Sequence, residues 1–301
     1  MEDRKKTFLL CVGAQKAGTT WLHRYLEQHE NVELGFLKEY HVFDSLAAPG
    51  GEWSFNRYIE TARRKIDRIE RGLNTFPEEK KRSINRNIFK MLDFFIDYNN
   101  YFDYFSGILY MNPDIFLTGD ITPAYSSLQP EVFEIIKKGF EERGVTVKVV
   151  FLMREPVERC ISAAQFNLGR RNPDKEAADF TVNKFERYVK KNYSSESFQA
   201  KGRYDLTMEN LEKVFDRDNI HYQFFENLFE AGNIEKICQF LGLEFTPARA
   251  EEKVNESRLK LEISDKLRGE IRAFYAPVYD LMYERYSKAF IDTIWSVGAR
   301  P

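Results

Sequence analysis

The sequence predicts an α/β fold, an open parallel sheet flanked by helices, and three features point to it. Phe8-Leu9-Leu10-Cys11-Val12 is a short apolar run, and Val145-Thr146-Val147-Lys148-Val149-Val150-Phe151-Leu152-Met153 is a longer, β-branched one. Runs of this kind suit strands buried on both faces of a parallel sheet. Helical patterns follow them closely, from about Thr19 after the first and from Val157 after the second. Between the first strand and its helix lies a glycine-bounded loop, Gly13 to Gly18. Strand, loop and helix in that order aim several backbone N–H groups and a helix N-terminus at one point, which favours a phosphate there.

The 301 residues contain no Pro/Gly/Ser-rich linker, internal repeat or low-complexity segment, and read as a single domain over residues 1–301. Hydrophobic residues at 43% and charged residues at 31% form an ordinary soluble balance that supports a sizeable core. With 26 Phe and 16 Tyr, rings must fill much of that core or line a cleft. A net charge of −2 argues against general nucleic-acid binding. Cys11, Cys160 and Cys238 lie in apolar runs on three different predicted elements and read as buried free thiols, and the four histidines are scattered without metal-ligand spacing. The apolar run near the N-terminus is too short for a signal peptide or a membrane span, so a cytoplasmic protein is expected. No G-x-S-x-G elbow is present.

In chain order, the first helix runs from about Thr19 to His29, and Asn31 to Gly35 is a short strand-like piece. Phe36 to Asp44, FLKEYHVFD, sets two charges and a histidine among large apolar residues, which suits the rim of a site better than a plain strand. Ile59, Ala62, Ile66 and Ile69 fall at helical spacing among Arg63, Arg64, Lys65 and Arg68, an amphipathic helix with a basic face. A second periodic stretch runs through Ile88, Met91, Leu92, Phe95 and Ile96, followed by the rings of Tyr98, Tyr101, Phe102, Tyr104 and Phe105. These patterns read first as core and solvated faces; the region, about 55–105, also reads as a mostly helical insertion placed to shape a substrate pocket.

Ile115 to Gly119 reads as a strand ending in Asp120-Ile121-Thr122-Pro123-Ala124-Tyr125. Gln129-Pro130 opens a helix that runs through about Glu142 and is closed by Gly144. Arg154 stands at the carboxyl end of the long apolar strand, and Pro156 enters the next helix in its first turn, where a missing N–H is harmless. That helix, Val157 to about Leu168, carries Ser162. Residues 170–200 are polar and read as irregular, apart from a helix around Val182 to Lys190, and are expected to form a flap. A helix follows Gly202-Arg203-Tyr204, a strand covers Ile220 to Phe225, and a helix from Ile234 to Leu241 is closed by Gly242. From about Ser264 to Tyr286 a long helical pattern is interrupted by Pro277, which should kink or break it.

The first loop resembles a P-loop, G-x-x-x-x-G-K-[ST], but Thr19 follows Gly18 where a nucleotide triphosphatase places lysine, and the lysine lies inside the loop at Lys16. That spacing, GAQKAGTT followed by Trp21-Leu22, is similar to the 5′-phosphosulfate loop of sulfotransferases that use 3′-phosphoadenosine 5′-phosphosulfate (PAPS). FLKEYHVFD resembles the K-E-x-H-x-F-D motif of heparan-sulfate-type and related bacterial sulfotransferases. Gly119, Thr122, Pro123 and Tyr125 match G-E-K-[ST]-P-x-Y, with an acid kept at Asp120 and Ile121 in the lysine position. VVFLMREPVERCISAAQFN resembles the second signature of these enzymes, and Gly202-x-Tyr204, Glu226-Asn227-Leu228 and Val254-Asn255-x-Ser257 resemble further pieces.

The resemblance implies a P-loop-like sulfotransferase fold with PAPS as sulfuryl donor and no metal. It places Lys16, Ala17, Gly18, Thr19, Thr20 and Trp21 on the cofactor, with Lys16 neutralising the bridging oxygen. Arg154 and Ser162 would hold the 3′-phosphate, as a guanidinium and a hydroxyl suit. Glu39 would be the general base toward a hydroxyl or amine of a small-molecule, lipid or carbohydrate acceptor, with His41 assisting or orienting it and Thr122 and Tyr125 on the acceptor side. Ile121, in place of a lysine, counts against a highly anionic acceptor. Two alternatives stand beside this reading. One is a P-loop-type small-metabolite kinase, for which Asp120 is a weak magnesium candidate; the other is a non-catalytic nucleotide-binding module.

Overall fold

The structure is a computed structural model that describes residues 4–47, 51–72, 78–171, 180–247 and 261–295. Its apolar runs form the strands β1 (Thr7–Gly13), β2 (Leu117–Ile121), β3 (Thr146–Met153) and β4 (Ile220–Phe224). All four are parallel and lie in the order β2-β1-β3-β4. Thr7 stands opposite Leu117 on one side and Thr146 on the other, and Val149 stands opposite Ile220. Every residue of β1 is buried, and in β3 only Thr146 and Lys148 reach partway to the surface. This is why both strands lack the polar alternation of a one-sided sheet.

The first helix, α1 (Thr19–Leu26), is followed by α2 (Val42–Ala47) and by the long helices α3 (Gly51–Glu70), α4 (Glu78–Ile96) and α5 (Tyr98–Met111). The side chain of Asp97 caps α5 by accepting a hydrogen bond from the Asn99 amide. The rings of this region turn inward. Tyr101, Phe102 and Phe105 are buried, and Phe8 of β1 stacks on Phe140 at 3.9 Å while meeting Phe105 edge-on at 5.0 Å. The core of the aromatic cluster therefore packs against β1, as the core reading of these rings expects.

Beyond β2 come α6 (Pro130–Glu141) and, after β3, α7 (Pro156–Arg171). Within the stretch expected as a flap, the helix anticipated around Val182 to Lys190 forms α8 (Val182–Asn192), and a further short helix, α9 (Glu196–Gln199), follows it. Phe185, Val189 and Phe198 are buried there, so these helices are packed parts of the body. The remaining helices are α10 (Tyr204–Glu212), α11 (Ala231–Leu241), α12 (Asp265–Phe274), α13 (Ala276–Arg285) and α14 (Lys288–Ile294). The expected break falls at Tyr275, with Pro277 in the first turn of α13. Asn31 to Gly35 does not form a strand and keeps one bridge, Val32 to Leu117. Gly35, at φ 79°, turns the chain away, and a side chain there would overlap the Tyr40 hydroxyl. The Val254-Asn255-x-Ser257 piece lies outside the described residues.

Candidate active site

From β1 the chain crosses to β2 on one side and then to β3 on the other. The crevice of an open α/β sheet opens at such a reversal, beyond the carboxyl ends of the strands concerned. Here those ends carry the Gly13–Gly18 loop and Arg154.

The loop is tight. Gly13, Lys16 and Gly18 all have positive φ, at 130°, 73° and 94°, and the Ala17 amide closes a turn on the Ala14 carbonyl at 3.2 Å. Gly18 begins α1 without a side-chain cap or an acid in the first turn, so this helix end stays electropositive. A methyl group on Gly18 would lie 2.8 Å from Leu228, in a backbone conformation that already favours glycine. Ala17 and Thr19 are buried and Thr20 is half-buried, while the buried Trp21 stacks on Tyr25 at 5.2 Å.

Two cations meet at this loop. The Lys16 ammonium stands 4.5 Å from the centre of the Phe166 ring. Burial lowers its pKa, and the positive charges of Arg154 and Lys38 lower it further. Arg154 Nη1 donates to the Lys16 carbonyl at 3.3 Å, its guanidinium lies 4.7 Å from the Phe225 ring centre, and Nη2 is 3.8 Å from Glu158. Tyr204 Oη donates to the Arg154 carbonyl at 2.9 Å, fixing the strand end from α10. Ser162 is buried on α7, eight residues beyond Arg154.

The segment from Phe36 to Asp44 runs beside the end of β2. The Ile121 amide donates to the Lys38 carbonyl at 3.3 Å, and the Tyr40 amide donates to Thr122 Oγ1 at 2.9 Å. Tyr40 Oη accepts from the Phe36 and Leu37 amides at 2.9 and 3.2 Å, which ties the segment's entry to its middle. Lys38 Nζ lies 2.5 Å from Glu39 Oε1, His41 Nε2 lies 3.4 Å from Glu39 Oε2, and His41 Nδ1 lies 2.9 Å from Asp44 Oδ2. Burial pushes the Glu39 carboxyl up, but His41 and Lys38 outweigh it and bring it down to about 2. Burial lowers the His41 imidazole, yet Asp44 and Glu39 raise it to about 10. Because the Lys38 charge acts on both Glu39 and Lys16, it joins this segment to the loop.

The structure thus gathers Lys16, the loop and helix residues through Thr20, Arg154, Glu39 and His41. Thr122 and Tyr125 are placed differently from the motif's implication: both are fully buried, and their hydroxyls donate to Asp120. Neither exposes an atom to an acceptor, so they stand as supports behind Glu39. Asp120 is also fully buried and accepts three hydroxyl hydrogens, which leaves it closed to a magnesium ion. Among the described residues no group of three or more His, Cys, Asp or Glu is arranged to hold a metal ion, and no helix is long and apolar enough to cross a membrane. Sequence reasoning missed Phe166 and Phe225, the rings beneath the two cations. The former has a signal in the sequence, since it lies one helical turn beyond Ser162 on the same face of α7.

The chain is thus an α/β protein with an open parallel sheet and two cations at its switch point, a charge that suits an anion. The sulfotransferase domain family matches residues 6–267, and the chain belongs to that family. A sulfotransferase from Alicyclobacillus acidocaldarius has a similar fold, with a TM-score of 0.56 and 19% identity, over 97% of this chain and 99% of that one. The sulfotransferase domain of the Synechococcus PCC 7002 olefin synthase gives a TM-score of 0.46 and 14% identity over 99% and 91%. One from the curacin biosynthetic pathway gives 0.45 and 15% over 97% of both chains. No curated protein matches the sequence.

Proposed function

We propose that this sulfotransferase moves a sulfuryl group from PAPS to a hydroxyl or amine of a small-molecule, lipid or carbohydrate acceptor. The observation that supports it most is the meeting of Lys16 and Arg154 at the Gly13–Gly18 loop, with Glu39 paired to Lys38, whose charge also acts on Lys16. We read the chain as one catalytic unit, its helical segment at about 55–105 inserted between the base segment and β2.

The residues fit the donor. The charges that act on Lys16 are positive, and the helix end beside it has no acid in its first turn, so the pocket favours an anion with several phosphate oxygens. Gly18, Thr19 and Thr20 would hold the 5′-phosphate through backbone amides and hydroxyls, beside Ala17 and Trp21. Arg154 and Ser162 would take the 3′-phosphate. When bound, PAPS supplies an activated sulfuryl group whose leaving group is the bisphosphorylated nucleotide.

Lys16 would neutralise charge growing on the bridging oxygen, and its lowered pKa reflects a site that gains by receiving an anion. Glu39 is a carboxylate at any ordinary pH and would accept the acceptor's proton. His41 is an imidazolium at neutral pH, so it serves to hold Glu39 and not as a second base. A carboxylate so stabilised is a weak base, and the rate then depends chiefly on alignment and on stabilised charge.

Thermal unfolding with 3′-phosphoadenosine 5′-phosphate tests the donor site. A hundredfold excess over its dissociation constant should add about 2.7 kcal/mol of stability. The gain should be lost in Arg154→Ala and Lys16→Ala, and ATP with magnesium should give none of it. Stabilisation by ATP and magnesium that ignores Arg154 would overturn the proposal in favour of a kinase.

A further inference from the structure

Asp120 takes no part in the chemistry above, yet it is a fully buried carboxylate at the end of β2. Thr122 Oγ1 donates to its Oδ1 at 2.5 Å, and Tyr125 Oη and Tyr101 Oη donate to its Oδ2 at 2.9 and 3.0 Å. Two of these hydroxyls are themselves acceptors: Thr122 Oγ1 takes the Tyr40 amide at 2.9 Å, and Tyr125 Oη takes the Val42 amide at 3.1 Å. A hydroxyl has one hydrogen to give. The direction of both chains is therefore set by a group that only accepts.

We propose that Asp120 is a positioning residue for Glu39, the carboxylate on which two hydrogen-bond chains from the backbone flanking His41 terminate. The inference rests on the reading of Glu39 as the base. His41, between the two pinned amides, has φ 56°, a conformation that a residue with a side chain keeps only when its surroundings fix it. Glu39 lies between the Tyr40 amide, fixed by Thr122, and the Lys38 carbonyl, fixed by the Ile121 amide. The end of β2 thus holds the base segment from both directions.

An asparagine at position 120 has one acceptor oxygen, and its NH2 group would face either Thr122 or the two tyrosines. One chain then loses its terminus, and burial leaves no water to replace it. Protonation has the same effect on one oxygen. Burial raises the Asp120 carboxyl to about 6 against the three hydroxyl donors. The groups facing it are Cys11 from β1, Tyr101 from α5, Tyr40 and His41 from the base segment, and Thr122 and Tyr125 beyond β2. Of these only His41 is charged at neutral pH. Turnover should therefore fall on an acid limb near 6, although Glu39 itself titrates far lower.

Ring-proton NMR of the full chain reads the placement without an acceptor, because Glu39 and Asp44 together keep His41 cationic. Asp120→Asn removes a charge that itself acts on His41, so the fall of the His41 midpoint by about one pH unit or more as Glu39 moves off is read in Thr122→Val and Tyr125→Phe, which keep the carboxylate. Stabilisation by 3′-phosphoadenosine 5′-phosphate should persist. Asp120→Glu, which keeps an acceptor-only group, should recover part of the midpoint. Thr122→Val and Tyr125→Phe each remove one chain, and Asp120→Asn, which loses the charge as well, should lower the midpoint at least as far. A His41 midpoint within about 0.3 unit of wild type in the folded variants overturns the proposal. Retained transfer in Glu39→Gln would instead overturn the assignment of the base while leaving the titration result standing.

Discussion

Glu39 sits between two cations, Lys38 and His41, and that is what separates its role from that of a surface acid. Replacing it with glutamine keeps the shape and removes the carboxylate proposed to accept the proton. Turnover should drop by about 10²–10⁴-fold, while the thermal shift given by 3′-phosphoadenosine 5′-phosphate stays as in wild type. Loss of both would mean that Glu39 belongs to the donor pocket. At this scale the sequence was informative wherever a residue has a fixed distance from a strand end, as Lys16 and Arg154 do. It misplaced Thr122 and Tyr125, because a motif gives order along the chain and not the side of the strand end on which a hydroxyl emerges. Phe225 was illegible for a related reason: a ring after a strand reads the same whether it supports an arginine or fills core.

The contact between α5 and α6 shows how element packing overrides propensity. Gly139 lies in the last turn of α6, and a methyl group there would overlap the Phe102 ring of α5. Alanine should gain about 1 kcal/mol of helix propensity over glycine. Overpacking a buried ring contact costs about 1–3 kcal/mol. Phe102 is held by Phe140, Phe43 and Tyr101, so it has little room to retreat and the second term wins. Gly139→Ala should lower Tm by about 2–4 °C, as calorimetry would show. The bounds of α6 and the break at Pro277 were legible from Pro and Gly signals. The loss of a strand at Asn31 to Gly35 was not, since it follows from the Tyr40 hydroxyl folding back beneath Gly35.

For the whole molecule, the Glu39–His41–Asp44 cluster couples stability to pH. The folded-state pKa of His41 is raised to about 10, so its pairing contributes fully below its ordinary value of 6.5 and is lost as pH rises through 10. That of Glu39 is lowered to about 2, so its contribution is present above its ordinary 4.5 and is lost as pH falls toward 2. The Tm difference between wild type and His41→Gln should therefore be largest near pH 6 and should close by about pH 10.5. A difference that does not change with pH would mean that His41 is uncharged in the folded protein. The α/β class was legible from the two apolar runs, but the strand order was not. Register between parallel strands depends on helices packing across long crossovers, and periodicity does not encode which strand comes to lie beside which.

That order has a consequence during synthesis. Thr7 of β1 pairs first with Leu117 and then with Thr146, so the most apolar strand near the N-terminus has no partner until β2 has been made. At about 5–20 residues per second, β1 waits roughly 5–20 s outside the ribosome before its first neighbour appears. Until then its unpaired edge is open to other nascent chains. The strand that later carries the Gly13–Gly18 loop is thus the one made before any of its neighbours.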